Sequence, residues 1–431
     1  MMEEVLDEIQ IEKYPAYKDS GVEWLGEIPE HWKVTRIGTR FIERRTKVSD
    51  KNFPALSVTK QGIVPQLDNA AKTNDGDNRK LVKAGDFVIN SRSDRKGSSG
   101  IANTDGSVSL INIVMEPLNV NSNYCSYLLK GHAFMEEFYR MGHGIVADLW
   151  TTRYDEMKAI IVGLPPITEQ TSIANFLDHK TALIDKAIGI KEKQVELVKE
   201  RRQILIHKAV TRGLNPNVKM KDSGVEWIGE IPEGWEVKRL KNICFINLNA
   251  LGENTNKNFE FKYVDIGSVT LEDGIIQTEI FIFKDAPSRA RRIAKNGDTV
   301  ISTVRTYLKA IDFIDEEKSR YIYSTGFAVL QPRDFINPEF LAYFVRSDAF
   351  TEQVTINSKG MSYPAINSTD ISRLNVVQCP LNEQKEIVDF IKTATNKIAI
   401  TISLKEHEIE KLKEYKASLI NSAVTGKIKV C

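Results

Sequence analysis

A chain of 431 residues has room for two to four domains, and 42% hydrophobic with 27% charged residues describes a globular protein, setting aside membrane-embedded and disordered classes. A net charge of +1 is too small for a generic nucleic-acid coat. Four scattered cysteines (Cys125, Cys244, Cys379, Cys431) show no CxxC spacing, which argues against a disulfide framework or zinc site and fits a reducing compartment.

The acidic start, MMEEVLDEIQIEKYP, predicts a short helix carrying Val5, Leu6 and Ile9. It lacks a basic n-region and an apolar h-region, and no apolar run reaches spanning length, so a cytoplasmic protein without a membrane anchor is expected. Residues 18–37, KDSGVEWLGEIPEHWKVTRI, return as 221–240, KDSGVEWIGEIPEGWEVKRL. Gly26, Pro29, Gly229 and Pro232 punctuate a turn, and Trp24, Trp32, Trp227 and Trp235 are expected to pack each domain's opening strand rather than to bind a ligand.

After each strip comes a domain-sized body, 41–164 and 241–378. Strand-like runs dominate: FPALSVT, DFVIN and IIVG in the first, FEFKYVDIG, DTVIST, YIYSTGFAVL and LNVVQ in the second. One helical stretch is expected in each, at 122–140 and 338–354. The fold class is α/β (mixed α+β), one globule used twice. A turn feeding a buried strand, KAGDFVIN at 83–90, matches KNGDTVIS at 295–302. Both basic clusters flank it. Residues 79–97 hold six basic against two acidic residues, and 284–309 hold seven against two.

Residues 165–213 have no proline between Pro166 and Pro216, one tolerated glycine (Gly189) and a capping pattern in Thr168, Glu169 and Gln170. They predict a single helix, a rod of roughly 65 Å. Residues 380–427 repeat it. A seven-residue series predicts a seam of Leu177, Ile184, Ile188, Val195, Val198 and Leu205 on the first helix, facing Ile391, Ile398, Ile402, Ile409, Leu412 and Leu419 on the second. Even the polar interruptions recur, Lys191 with Lys405 and Arg202 with Lys416.

No GxxxxGK[ST], GxGxxG after a strand, HExxH, GxSxG or amino-methyltransferase motif occurs. The six histidines lack ligand spacing, and Asp312 and Asp315 read as turn residues, so neither catalytic residues nor a metal site are expected. The basic windows suit DNA, because Arg and Lys beside Ser, Thr and Gly put cations on phosphates while the same loops reach base edges. The candidates are Ser91, Arg92, Ser93, Arg95 and Lys96 in the first body, and Arg289, Arg291, Arg292, Arg305, Tyr307 and Lys309 in the second.

The arrangement resembles the specificity subunits of type I restriction-modification systems. The likeness is carried by IPEHW (28–32) and IPEGW (231–235), by Leu164, Pro165, Pro166, Glu169, Gln170, Ile173 and Ala174, and by Pro380, Glu383, Gln384 and Ile387. The second helix opens CPLNEQ in place of PPITEQ, one proline fewer. The resemblance implies two target-recognition domains, 1–164 and 214–379, each reading one half of a split asymmetric site on double-stranded DNA. It also implies spacer helices, 165–213 and 380–431, forming an antiparallel coiled coil that acts as a ruler in a pseudo-twofold repeat. It further implies that this chain is non-catalytic and binds no cofactor, with S-adenosylmethionine, ATP and Mg²⁺ on partner methyltransferase and restriction subunits. A duplicated coiled-coil scaffold for protein interaction is the alternative; it leaves the paired basic windows without a role.

Overall fold

The computed structural model describes residues 12–67, 76–144 and 150–430. The expected first helix lies outside the described residues. The chain divides into two compact units, Met1–Glu192 with Glu406–Cys431, and Lys193–Lys405.

In the first unit the opening strip folds back as a hairpin, Tyr17–Asp19 against Glu27–Pro29, with Gly26 at φ +61° in its turn. Lys33–Arg36 then pairs antiparallel with Ile161–Leu164, the strand that runs into the first long helix. A four-stranded antiparallel sheet fills the body in the order Ser99–Ile101, Phe87–Asn90, Asn112–Pro117, Phe41–Glu43. Both of its faces are covered, which is why its strands read as continuous apolar runs. Phe87 and Ile89 enter a core with Trp32, Phe134 and Phe138, while Val88 points to a smaller core with Val82 and Val108. The stretch 122–140 is two helices, Ser122–Lys130 and His132–Arg140, broken at Gly131.

The second unit repeats this plan. Met220–Asp222 pairs with Glu230–Pro232, and Glu236–Arg239 pairs with Asn375–Gln378 ahead of the second long helix. Its four-stranded sheet runs Ile311–Phe313, Thr299–Ser302, Phe327–Pro332, Cys244–Ile246, again antiparallel throughout and in the same topological order. Ile301 and Leu330 face a core with Trp235 and Phe344, and Val300 and Val329 face another with Tyr323. YIYSTGFAVL is two strands, Ile322–Ser324 and Phe327–Pro332. The expected helix at 338–354 is also two, Pro338–Arg346 and Asp348–Asn357. Asp312 corrects its reading as a turn residue: it is buried on strand Ile311–Phe313, where its carboxylate takes Lys318 at 2.9 Å and accepts the Ile275 N–H at 3.1 Å.

The long helices are Ile167–Arg212, 46 residues, and Leu381–Val424, 44 residues. In the first unit they run antiparallel, since Asp185 meets Lys416 at 2.6 Å and Lys191 meets Glu408 at 2.5 Å. Leu177, Ile184, Ile188, Ile409, Leu412 and Leu419 are all buried in its core. In the second unit Lys405 donates to Gln194 at 2.8 Å; Val195 and Ile391 are buried, while Val198, Leu205, Ile398 and Ile402 are half-buried.

The Glu-Gln pair that opens each long helix has a more specific use than a cap. The Glu169 carboxylate accepts from the Trp32 indole (3.0 Å) and the Tyr14 hydroxyl (2.6 Å), and Glu383 accepts from Trp235 (2.9 Å). Gln170 accepts the Asn121 backbone N–H at 2.9 Å, and Gln384 that of Asn337 at 2.7 Å. Those asparagines cap helices Ser122–Lys130 and Pro338–Arg346 through their side-chain oxygens. Each pair therefore ties its long helix to the opening strip and to the body.

Candidate nucleic-acid interface

The basic loops hang from one local construction made twice. In the turn before the central strand, the Asp86 carboxylate accepts the Lys83 N–H at 2.8 Å, and Asp298 accepts that of Lys295 at 2.8 Å. Gly85 and Gly297 both sit at φ +92°, a conformation glycine adopts without strain. Arg44 pairs with Asp86 at 2.7 Å, whereas burial pushes the Asp298 carboxyl above its ordinary range.

Past the strand, each chain meets a second loop. In the first unit the Thr152 N–H donates to Ser91 O at 2.9 Å, and His143 and Thr151 exchange backbone bonds of 3.2 and 3.1 Å. In the second, the Ile366 N–H donates to Thr303 O at 2.8 Å, and Lys359 and Ala365 exchange bonds of 2.8 and 2.9 Å. Isolated bridges Arg92↔Thr151 and Val304↔Ala365 complete the match. Each basic loop is thus held by a return loop from the far side of the two body helices.

Within the first unit, Arg92 is exposed and forms no ion pair among the described residues. Ser91 is 4% exposed, so its hydroxyl is not on the surface. Ser93 and Arg95 form a single 3-10 turn, with Arg95 reaching Asp94 only at 3.7 Å. Lys96 is taken by Glu136 at 2.6 Å and lies over the Tyr139 ring at 5.8 Å. Ser91 also lines a cleft with Glu43, Arg45, Lys47, Lys80 and Arg153; Lys80 belongs to the basic window 79–97, and Arg45, Lys47 and Arg153 are cations outside the candidates expected from sequence. Arg45 and Lys47, close together in sequence, were a local signal for two of them; Arg153 stands alone in sequence.

Within the second unit, Arg289 pairs with Asp265 at 3.1 Å, and Arg291 lies 4.7 Å from the Phe283 ring centre while donating to Ala290 O at 2.9 Å. Arg292 is half-buried on strand Ala290–Ile293; burial lowers its guanidinium pKa, and its Nε has no partner among the described residues. Lys309 sits between Asp348 (3.6 Å) and Glu352 (3.4 Å), an anchor more than a free cation. Arg305 and Tyr307 are exposed, Arg305 just before the 3-10 turn Thr306–Leu308 and Tyr307 within it, and Arg305 lies over the Tyr363 ring at 5.0 Å.

Structure therefore groups Arg92, Ser93 and Arg95 on one loop and Arg305 and Tyr307 on another, while Arg291 and Arg292 lie on a separate sheet, Glu279–Ile282, Glu260–Val264, Ile322–Ser324, Ala290–Ile293, with Arg289 in the turn that enters it. Among the described residues no three His, Cys, Asp or Glu side chains converge as a metal set, and no helix is long and apolar enough to cross a membrane.

Residues 232–412 match the family model described as the Type I restriction modification DNA specificity domain. The chain is 26% identical to the type I restriction enzyme MjaVIII specificity subunit of Methanocaldococcus jannaschii, over 94% of both chains. It is 22% identical to the EcoDI specificity subunit of Escherichia coli, over 84% of this chain and 81% of that one. Among solved structures, a chain from work on assembly and conformational transition of the type I R-M system aligns over 92% of this chain and 98% of its own, with TM-score 0.66 and 15% identity. The HsdS subunit from Thermoanaerobacter tengcongensis aligns over 93% and 98%, with TM-score 0.53 and 17% identity. At such identities the structural likeness speaks for the fold.

Proposed function

We infer that this chain, which carries the DNA specificity domain of type I restriction-modification systems and is similar along nearly its whole length to their specificity subunits, is such a subunit and recognises DNA. The observation that carries the reading is the duplicated loop clasp, whose basic loop in each unit carries an exposed arginine with no ion pair among the described residues, Arg92 at the bridge itself in the first and Arg305 one residue past the bridging Val304 in the second. An exposed arginine without a carboxylate partner keeps its full charge for a phosphate or for the O6 and N7 of guanine. Because the loops differ in sequence past the shared turn and strand, the two half-sites differ, and the target is split and asymmetric.

The chemistry belongs to other chains in this proposal. Methyltransferase subunits carry S-adenosylmethionine, and a restriction subunit uses ATP and Mg²⁺. That the relatives are specificity subunits of restriction enzymes supports this division of labour. Exposed Leu197 and Ile204 on the first long helix and Ile400 and Leu404 on the second offer apolar surface for partner subunits. The two long helices act as the ruler that sets the unread spacer.

Two measurements test the reading. Methylation mapping in cells carrying the chain with its methyltransferase subunits returns one bipartite motif with unlike halves. Duplex binding by the assembled complex weakens steeply as salt rises, because phosphate contacts release counterions. A complex whose duplex binding is the same for motif and scrambled DNA overturns the assignment, and so does methyl transfer by the purified chain alone.

A further inference from the structure

The return loop of the second unit carries features that neither the fold nor the basic loop explains. Met361 is fully exposed at 102% and Tyr363 is 65% exposed, next to Tyr307 and Leu308 at 56% and 40%. Single exposed apolar side chains are ordinary, but four around one pair of loops form a patch. The backbone beneath them is held in costly conformations. Arg305 and Lys309 occupy the left-handed region (φ 50° and 47°) although neither is glycine. Around them the two loops are tied by the Lys359–Ala365 backbone pair, by the Thr306–Ser358 hydroxyl contact at 2.8 Å, and by Lys309 on Asp348 and Glu352. A strained and braced turn that presents apolar side chains to solvent is built for something to press against it.

Charge says what. Residues 303–309 and 358–367 contain no Asp or Glu, while Arg305 and Lys359 are exposed. Tyr363 lies under the Arg305 guanidinium at 5.0 Å, which holds that cation at the tip. Two loops without a carboxylate, their apolar tip flanked by Arg305 and Lys359 and the neighbouring Asp348 and Glu352 engaged by Lys309, suit nucleic acid, where a cation takes the phosphate and a flat or soft side chain takes the base.

We propose that Met361 and Tyr363 are base-contacting residues of the second unit, and that the reading surface is composite, with the basic loop holding the backbone and the return loop touching bases. The proposal rests on the DNA-recognition reading above and assigns specificity to a loop outside the charged windows. The first unit makes the same clasp from Arg92, Thr151 and His143, and its return loop ends on the exposed Trp150, whose carbonyl accepts the Ser93 N–H at 3.0 Å.

The test uses the full chain assembled with its methyltransferase subunits and duplexes carrying the mapped motif. Met361→Ala with Tyr363→Ala is expected to weaken motif binding about 10-fold, the scale of losing aromatic or apolar base contact. Discrimination against base changes is lost in one half-site only, and the slope of log affinity against log salt is unchanged because no phosphate contact is removed. Arg305→Ala, as comparison, lowers that slope by about one. An unchanged melting temperature shows that the double variant is folded, as its exposure leads one to expect. If the double variant binds and discriminates like the parent, this proposal falls while DNA recognition stands. If it instead fails to co-purify with methyltransferase subunits yet keeps its discrimination, the patch docks protein and the proposal is equally overturned. A parent complex without any motif preference overturns both readings.

Discussion

Truncating Glu383 would leave the Trp235 indole N–H, in a side chain 2% exposed, without its acceptor at 2.9 Å. An unsatisfied buried donor costs about 1–3 kcal/mol, so Glu383→Ala is expected to lower the unfolding free energy by that much, read as a lower denaturant midpoint, and Glu383→Gln by less, since the amide oxygen can still accept. Glu169→Ala should cost more, because Tyr14 and Trp32 both donate to that one carboxylate. At the proposed DNA interface, Arg92→Ala and Arg305→Ala should each reduce the salt slope of duplex binding by about one. Lys309→Ala, whose ammonium is held by Asp348 and Glu352, should leave that slope nearly unchanged. At this scale the sequence located the loops but not the partners. Arg92 and Arg305 look no different in sequence from Lys96 and Lys309; only folding brings Glu136, Asp348 and Glu352 beside the latter two. Met361 and Tyr363 escaped notice because an apolar residue gives no local sign of being left outside.

Among the elements, the long helices were the most legible, since forty-odd residues of one period leave little choice, and their ends at Arg212 and Val424 fall close to the expected breaks. Gly213 follows the first helix at φ +69°, and a Cβ there would come 3.1 Å from the Trp235 ring. Gly426 follows the second at φ +73°, where a Cβ would meet the Pro29 ring at 2.3 Å. Gly426→Ala is therefore expected to destabilise by roughly 1–3 kcal/mol and more than Gly213→Ala, read as a drop in melting temperature. The short body helices were seen as single stretches, because the breaks at Gly131 and Ser347 interrupt an apolar period that continues on both sides. Strands were legible where both faces are buried, as at 87–90 and 299–302, and the order of strands within each sheet was not, since pairing is decided by residues far apart in sequence.

For the whole molecule, deleting seven residues from each long helix at matching positions should shorten the spacer in the methylation map while each half-site keeps its sequence; an unaltered spacer would remove the ruler from the proposal. The duplication itself was plain in the sequence, through the repeated opening strips and helices. The likeness of the two bodies was faint there, and it emerges from the matching sheet order and the matching loop clasps. One unit is discontinuous: Lys429 bonds back to Glu12 through its backbone N–H at 2.8 Å, and Val424 accepts the Tyr124 hydroxyl at 3.2 Å. During synthesis, residues 193–405 can complete their contacts before residues 406–430 are made, whereas the first unit must wait for that stretch. A chain cut before residue 406 leaves Leu177, Ile184 and Ile188 without Ile409, Leu412 and Leu419, so a break there harms the part of the protein made first.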